Sequence, residues 1–424
     1  MAWMDKIVIQ GGRRLTGSIA VGGSKNAVLP ILSSTMLADG TYRIRNVPNL
    51  KDVRTMSRLL ECMGVRVQAG ESELTVTMSG VSSQEAPYDL VKTMRASIYV
   101  LGPLVARFGY AKVSLPGGCA WGPRPVNLHL EGLKKMGARI ELEGGYIHAR
   151  AGRLKSARIP FDIPSVGATC NLLMASVLAQ GTTVIENAAR EPEVESLVHF
   201  LVKMGARIQG AGTDRLEIEG QDGLHAAEVE VIPDRIETAT FLAAAHLAGG
   251  EIMLTAAQPR HLTAVLEKLK ESGAVVSEEE NAIRLSSDGK PKPVDVTTAV
   301  YPGFPTDMQA QWMALMSIAG GSSIITETIF HDRFTHMAEL RRLGADITLD
   351  HNTAVVRGVG HLSGAHVMST DLRASASLIM AGLIARGRTD ISRVYHIDRG
   401  YERIEVKLKS LGADIWREKE QLVT

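Results

Sequence analysis

The sequence is poor in cysteine, in aromatic residues and in long apolar runs. Three cysteines among 424 residues cannot all form disulfides within one chain, and none forms a C-x-x-C pair, which favours a reducing cytoplasm and no structural metal. Aromatic residues make up 4% and the net charge is +1, which argues against a nucleic-acid partner. No apolar run approaches the ~20 residues that cross a membrane, and the start resembles neither a signal nor a transit peptide. The sequence indicates no cofactor and no obligatory protein partner.

A glycine-centred pattern recurs six times along the chain. In each copy a charge-bearing, helix-like segment such as LKKMG or LRRLG runs into a glycine and then into a β-like stretch. The glycines lie 73, 68, 68, 71 and 68 residues apart and are Gly64, Gly137, Gly205, Gly273, Gly344 and Gly412. A nearly constant period indicates one supersecondary unit copied six times.

A second, more apolar segment recurs in step with the first, as in SVGATCNLLMASVLAQG. Because these segments are apolar on nearly every face, they predict buried helices. Each ends on a glycine, interpreted as a helix C-cap, and a β-branched run follows. These glycines are Gly40, Gly109, Gly181, Gly250, Gly321 and Gly387. The repeat is therefore predicted to be a β-α-β-α-β-β unit, which makes the fold α/β.

A conspicuous polar residue lies 14 to 16 positions before each of these glycines. The six are Lys25, Arg95, Ser165, Arg235, Asp307 and Arg373. If each segment is one helix, all six lie at helix N-termini, where the helix dipole disfavours cations. Fixed cations beside free backbone N–H groups predict a site for a strongly anionic ligand. Any one of them could be a surface charge at a helix start, but six in phase favour the site.

Six repeats could form a long solenoid or two compact halves of three repeats. The strand-like KIVIQGG precedes the first repeat and the last repeat ends near the C-terminus, so the N-terminal strand is free to complete the C-terminal half. The predicted domains are residues 22–232 and residues 1–21 together with 233–424. Two crossings between the halves would form a hinge, and we expect the active site in the cleft between them.

The loop SLPGGCAWGPRPVNLH, residues 114–129, contains a candidate reactive thiol. Cys119 lies between Gly118 and Ala120, and Arg124 follows five residues later. A thiol on an exposed loop beside an arginine is expected to have a lowered pKa, although a loop cysteine without a function is the alternative. The other two cysteines, Cys62 and Cys170, lie in apolar helix-like segments and are interpreted as packing residues.

Ten motifs together resemble one enzyme family. In chain order they are GGSKNAVLPIL, APYDLVKTMRASI, LPGGC, SVGAT, ENAAREPE, PDRIET, FPTDMQAQ, ITETIF, DLRASASL and YHIDRGYERIE. From KIVIQGG to the C-terminus the chain resembles the UDP-N-acetylglucosamine enolpyruvyl transferases. The resemblance implies a two-domain inside-out α/β barrel with three repeats per domain. It also implies transfer of the enolpyruvyl group of phosphoenolpyruvate to the 3′-hydroxyl of UDP-N-acetylglucosamine with release of phosphate, the step that commits the sugar nucleotide to peptidoglycan synthesis.

The resemblance further implies roles for individual residues. Cys119 would protonate the methylene carbon, form an adduct with phosphoenolpyruvate and react with the epoxide fosfomycin, while Asp307 would face the attacking hydroxyl. Lys25, Arg124 and Arg399 would hold the phosphate. Arg333 and Arg373 would lie near the carboxylate, and Asn26 would complete the pocket. The sugar nucleotide would contact Arg95, Arg124, Pro125, Val126, Asn127, Leu128, Ser165, Val166, Gly167, Asp307 and Ile329.

Local alternatives exist for several of these residues. Arg333 could be a surface charge on a helix, Arg399 could pair with Asp398, and Arg373 could pair with Asp371. Two departures from the family pattern affect the nucleotide: Asn127 stands where many members have Asp, and Ile163 where some have a lysine.

Two rival functions remain open at this point. One is an enolpyruvyl transferase of the same fold that acts on another hydroxyl, such as the shikimate-pathway enzyme, although LPGGC and RPVNLH argue against it. The other is a catalytically idle paralogue that binds the sugar nucleotide and regulates.

Overall fold

The structure is a computed structural model that describes residues 3–115 and 126–421. In these ranges the α-helices, α1 to α13, are Lys25–Ser34, Lys51–Cys62, Tyr88–Val91, Leu101–Phe108, Asn127–Lys135, Val166–Ser176, Pro192–Lys203, Arg235–Ala248, Thr263–Glu271, Gln309–Met316, Met337–Arg342, Leu372–Ile384 and Ile404–Ser410. The strands, β1 to β24, are Trp3–Gln10, Leu15–Ala20, Gly40–Arg45, Arg66–Ala69, Glu73–Met78, Glu85–Ala86, Tyr110–Ser114, Arg139–Glu143, Tyr146–Arg150, Arg158–Pro160, Thr182–Glu186, Arg207–Gln209, Arg215–Glu219, Glu228–Glu230, Gly250–Thr255, Val275–Glu279, Ala282–Ser287, Val296–Thr297, Ser322–Thr326, Asp346–Asp350, Thr353–Arg357, His366–Met368, Arg388–Ser392 and Asp414–Gln421.

The strands form six four-stranded sheets of one design. In the sheet β18-β19-β21-β20, the short β18 runs parallel to β19, which pairs antiparallel with the second strand of the β20–β21 hairpin. With α10 and α11 this set reads β-α-β-α-β-β in chain order. The predicted repeat is confirmed, because the other five sheets have the same order of strand types.

Three sheets are completed by strands from distant parts of the chain. β1 lies between β23 and β24, where Ile7 faces Ile391 on one side and Arg417 on the other. This position confirms that the N-terminal strand completes the C-terminal half, and it does so in the last repeat. β2 similarly runs parallel to β15, and β14 runs parallel to β3.

The chain divides into two compact units. Unit A comprises residues 3–22 and 233–421, and unit B comprises residues 23–115 and 126–232. Each has its own core, in which one apolar helix of every repeat is buried. In unit A the buried helices α8, α10 and α12 contact one another, and in unit B α6 contacts both α1 and α4. Helices of different repeats therefore pack against one another within a unit.

The turn glycines behave as the repeat predicts, but the second set of glycines does not. Gly64 and its five equivalents all have positive φ, between 90° and 101°, a region that glycine enters without the steric penalty of a Cβ. Of the predicted C-caps only Gly109 caps its helix, with φ 71°. The other buried helices end before their predicted glycine. At the end of α1 the hydroxyls of Ser34 and Thr35 donate to Ile31 O and Leu32 O, two of the last four carbonyl groups of the helix, at 2.8 and 2.7 Å. Side chains therefore satisfy part of this helix end without glycine.

Candidate functional site

The six polar residues that recur 14 to 16 positions before the glycines of the apolar segments all lie at helix starts, as predicted. Lys25 and Arg235 are the first residues of α1 and α8, and Ser165 is the N-cap of α6. Arg373 is the second residue of α12. Arg95 begins the 3₁₀ helix Arg95–Val100 that leads into α4, and Asp307 lies in the 3₁₀ helix Thr306–Met308 that leads into α10.

Asp307 and Arg373 form an ion pair in unit A. The Asp307 Oδ2 atom accepts hydrogen bonds from Arg373 Nε at 3.1 Å and Nη2 at 3.0 Å. The Arg373 side chain is buried, and its guanidinium lies over the Tyr401 ring. Burial by itself would lower the pKa of Arg373, but the charge of Asp307 and the Tyr401 side chain outweigh it and raise this pKa. The guanidinium therefore stays charged beside the carboxylate.

Arg333 approaches the same carboxylate from the segment between β19 and α11. Its Nη1 atom lies 2.9 Å from Asp307 Oδ1 and donates to Thr306 Oγ1 at 2.9 Å. Arg333 is only 5% exposed, so the alternative of a surface charge on a helix is wrong. Asp307 is thus flanked by two guanidinium groups, one at each oxygen.

The acidic neighbours of Arg373 and Arg399 have structural partners of their own. Asp371 caps α12, and its Oδ1 atom accepts from the backbone N–H groups of Arg373 and Ala374 at 2.8 and 3.0 Å. The Arg373 guanidinium binds Asp307. Asp398, next to Arg399, is held by Arg417 through two hydrogen bonds of 2.7 and 3.0 Å. Arg399 itself is half-buried at the end of the 3₁₀ helix Val394–Arg399.

Lys25 and Asn26 open α1 in unit B, and both are half-buried. Lys25 Nζ lies 3.4 Å from Asp52 Oδ2, and the Asp52 side chain is buried in the first turn of α2. Asp52 has no distinctive signal in the sequence, since a single acidic residue at a helix start is commonplace. Its carboxylate positions the lysine ammonium at the start of α1.

The start of α6 carries a second group of predicted residues. Ser165 Oγ accepts from Ala168 N at 3.3 Å, and Val166 and Gly167 are half-buried. A Cβ on Gly167 would lie 3.3 Å from His129 Nε2, so glycine permits the imidazole to approach the helix start closely. Arg95 also acts on this imidazole through its charge.

His129 is a residue that sequence analysis overlooked, although it ends the quoted run RPVNLH. Burial, together with the charge of Arg95, lowers the pKa of His129 to about 3, so the ring is neutral. Asn171 Oδ1 accepts from Gly102 N at 2.6 Å, which turns the amide Nδ2 toward Ile98 O and His129 Nδ1 at 2.8 and 3.0 Å. Because Nδ1 accepts, this network assigns the ring proton to Nε2, the nitrogen that faces Gly167.

The remaining predicted contacts lie near α5 and β19. Val126 is buried just before α5, Asn127 begins that helix in an exposed position, and Leu128 is half-buried. Ile329 is half-buried, and its backbone N–H donates to Glu327 Oε1 at 2.7 Å. Ile163 is 65% exposed. The predicted residues Cys119, Arg124 and Pro125 lie outside the described residues.

The two cysteines that the structure describes differ in their exposure to solvent. Cys170 is buried in α6, and burial raises the pKa of its thiol, which confirms a packing residue. Cys62 is exposed, so the packing interpretation is wrong for it. Helix α2 is amphipathic and buries Met56, Leu59 and Leu60, which leaves its last residue on the solvent face.

Neither a metal cluster nor a membrane-spanning helix is found in the ranges 3–115 and 126–421. No three or more His, Cys, Asp or Glu side chains are placed together to hold a metal ion there. Every helix in these ranges is too short or too polar to cross a membrane.

Solved structures with the same architecture define the class of fold. The crystal structure of the enolpyruvyl transferase NikO from Streptomyces tendae matches with a TM-score of 0.89 and 27% identity, covering 99% of this chain and 100% of that one. EPSP synthase from Acinetobacter baumannii matches with a TM-score of 0.76 and 19% identity over 98% of this chain and 100% of that one. The fold is that of the enolpyruvyl transferases, as the motifs predict.

Sequence comparisons identify the family within this fold to which the chain belongs. The model of the EPSP synthase (3-phosphoshikimate 1-carboxyvinyltransferase) family matches residues 9–408. Proteins named UDP-N-acetylglucosamine 1-carboxyvinyltransferase from Myxococcus xanthus and Geobacter metallireducens are 57% and 54% identical, each over 98% of this chain and 100% of the relative. The chain therefore belongs to the EPSP synthase family and, within it, to the UDP-N-acetylglucosamine 1-carboxyvinyltransferase family.

Proposed function

We propose that the protein is an enolpyruvyl transferase that moves the enolpyruvyl group of phosphoenolpyruvate to the 3′-hydroxyl of UDP-N-acetylglucosamine and releases phosphate. The observation that carries this proposal is the identity of 54–57% with proteins named UDP-N-acetylglucosamine 1-carboxyvinyltransferase, over 98% of this chain and nearly all of theirs. We further propose that the product enters peptidoglycan synthesis and that the enzyme acts in the bacterial cytoplasm. The proposal requires no cofactor and no metal.

The reaction would proceed by addition and elimination. Protonation of the methylene carbon of phosphoenolpyruvate and attack of the sugar hydroxyl on its second carbon form a tetrahedral intermediate. Loss of phosphate together with one proton of the new methyl group then restores the double bond. We assign the protonation to Cys119, which would also carry the covalent adduct and react with fosfomycin. Asp307 would accept the hydroxyl proton. Its place between Arg333 and Arg373 supports a role for this carboxylate in a site that handles anions.

The cations would bind the two anionic groups of phosphoenolpyruvate. Arg333 and Arg373 would contact its carboxylate, and Arg373 Nη1, which has no hydrogen-bond partner among the described residues, keeps a donor for it. Lys25, Arg124 and Arg399 would hold the phosphate, with Asn26 beside them. Lys25, Asp307, Arg399 and Cys119 are the proposed catalytic residues.

The sugar nucleotide would lie along the residues implied by the family. Ser165, Val166 and Gly167 at the start of α6 present backbone N–H groups suited to a diphosphate. Arg95 and the stretch Arg124–Leu128 would contact the nucleotide, with Asp307 and Ile329 nearer the sugar. We propose that residues of 22–232 and residues of 1–21 with 233–424, the predicted domains, act on the same pair of substrates.

Phosphate release measures this function directly. We expect release only when phosphoenolpyruvate and UDP-N-acetylglucosamine are both present, and no release when shikimate 3-phosphate replaces the sugar nucleotide. Release with shikimate 3-phosphate would favour the rival transferase. Binding of UDP-N-acetylglucosamine without any phosphate release would favour the idle paralogue.

A further inference from the structure

Glu327 is a fully buried carboxylate that follows β19 in unit A. Its Oε1 atom accepts from Thr298 Oγ1 at 2.8 Å, from Ile329 N at 2.7 Å and from Phe330 N at 2.9 Å. Its Oε2 atom accepts from Thr306 Oγ1 at 2.8 Å. Burying an ionised carboxylate is unfavourable unless such hydrogen bonds compensate it, and here four donors surround the group.

The neighbours of the two threonine hydroxyls determine where their protons point. Thr298 Oγ1 accepts from Thr328 N at 2.9 Å, and Thr306 Oγ1 accepts from Arg333 Nη1 at 2.9 Å. The N–H groups of Thr328 and Arg333 only donate, so each hydroxyl must direct its single proton toward Glu327. All four contacts of Glu327 are then donors, as an ionised carboxylate requires.

A chain of hydrogen bonds therefore runs from Glu327 to the proposed catalytic base. Glu327 orients the Thr306 hydroxyl, this hydroxyl receives Arg333 Nη1, and the same nitrogen lies 2.9 Å from Asp307 Oδ1. The other oxygen of Glu327, Oε1, accepts from the backbone N–H groups of Ile329 and Phe330. One buried side chain thus connects the Asp307–Arg333 pair with a proposed sugar-nucleotide contact.

We infer that Glu327 is a positioning residue for this reaction: it holds Arg333 against Asp307 through the Thr306 hydroxyl. The inference rests on the proposed function, in which Arg333 meets the phosphoenolpyruvate carboxylate. Glu327 is not expected to touch either substrate, because its carboxylate is fully buried and surrounded by protein donors. Its effect on catalysis is therefore exerted through Thr306 and Arg333.

The substitution Glu327→Gln separates this role from loop stability. If the glutamine keeps its oxygen toward Thr298, Ile329 and Phe330, its NH₂ group faces Thr306. The Thr306 hydroxyl then loses its acceptor at position 327, and its oxygen has to accept from both the amide and Arg333 while its own proton turns elsewhere. The loop contacts survive while the Thr306–Arg333 bond is weakened.

The experiment compares Glu327→Gln, Thr306→Val and the double variant in steady-state phosphate release. We expect each single variant to raise the KM for phosphoenolpyruvate about tenfold, the typical effect of one lost hydrogen bond to a charged group, and the double variant to do no worse. Thr298→Val is the matched control, since it removes a hydrogen bond to Glu327 but leaves Thr306 and Arg333 in place. It should lower the melting temperature while the KM for phosphoenolpyruvate stays within about twofold.

Unchanged KM values for phosphoenolpyruvate in Glu327→Gln and Thr306→Val would overturn the inference, as would equal kinetic effects in Thr298→Val. If Glu327→Gln does not fold, Thr306→Val carries the test with the same expectation. Crystal structures of the wild-type protein and Glu327→Gln separate failure of this inference from failure of the proposed function. An Arg333–Thr306 bond that keeps its length of 2.9 Å in the variant contradicts the positioning role even if the wild-type protein releases no phosphate. A longer or broken bond with the 327–330 backbone unmoved supports it.

Discussion

Arg373 donates two hydrogen bonds to one oxygen of Asp307, at 3.1 and 3.0 Å, although 66 residues separate the two in the chain. Both residues lie at the starts of buried helices in their repeats, and α10 and α12 contact each other directly. Positions that are equivalent in the repeat therefore meet within unit A. Helix packing thus places charged residues that recur at one position of the repeat next to each other.

Asp307→Asn is expected to lower kcat by about 10²- to 10⁴-fold, because the amide cannot accept a proton from the sugar hydroxyl. The KM for phosphoenolpyruvate should change much less, since Arg333 and Arg373 remain. Steady-state phosphate release checks this, with the exposed Asp350→Asn as the control of equal charge change. Unchanged turnover in Asp307→Asn would contradict the role of base.

Arg373→Lys is expected to raise the KM for phosphoenolpyruvate about 10- to 100-fold. The lysine keeps the charge but cannot reproduce the two hydrogen bonds to Asp307 together with a further donor, and a charge-assisted bond typically contributes about 1.5–3 kcal/mol. The exposed Arg357→Lys should leave the KM unchanged. A similar KM in both variants would show that charge alone suffices at position 373.

Fosfomycin treatment should attach one adduct to the protein, and peptide mass spectrometry should locate it on Cys119. Cys170 is an internal control, because it is buried and burial raises the pKa of its thiol. Cys62 is exposed and tests whether exposure alone produces reaction. An adduct on Cys62 or Cys170 with none on Cys119 would refute the assignment.

Two buried histidines predict acid destabilisation below about pH 6.5. Burial and nearby arginines lower the pKa of His129 to about 3 and that of His261 to about 4. The unfolded chain then binds more protons than the folded one in this window, so the free energy of unfolding falls as pH falls, by up to about 1.4 kcal/mol per pH unit for each histidine.

Urea unfolding at pH 6.5, 5.5 and 4.5 measures the slope of the free energy of unfolding against pH. His129→Gln should make it shallower, whereas His199→Gln, at an exposed position of α7, should leave it as in the wild-type protein. Identical slopes in the wild-type protein and His129→Gln would exclude the contribution of this histidine.

Gly344→Ala is expected to destabilise unit A by about 1–2 kcal/mol, because a Cβ at positive φ clashes with its own backbone. Gly344 has φ 96°, and no neighbour lies within 4 Å of an added Cβ, so the effect isolates backbone strain. Gly360→Ala has equal space and no positive φ, and should be nearly neutral. Equal melting temperatures for the two variants would disprove this explanation of the repeat glycines.

Much of the fold was predictable because its signals are local. The period of the turn glycines, the burial of one helix per repeat and the helix-start positions of Lys25 and Arg373 depend on residues only a few positions apart. The place of β1 followed from its position before the first full repeat, since the last repeat ends close to the C-terminus. Cys62 and the helix ends were mispredicted because an average apolar character does not tell which face of a helix is exposed or which side chains satisfy its last carbonyls.

The sequence alone determined the repeat, the family motifs and the residue types of the site. Tertiary structure decided which residues meet: Asp307 with Arg333 and Arg373, Lys25 with Asp52, and Glu327 with Thr306. Each of these contacts joins residues that are at least 20 positions apart, and they form because buried helices and sheet ends bring the segments together. Hydrogen-bond distances of about 3 Å between such segments are set by how the cores pack, which no local pattern encodes.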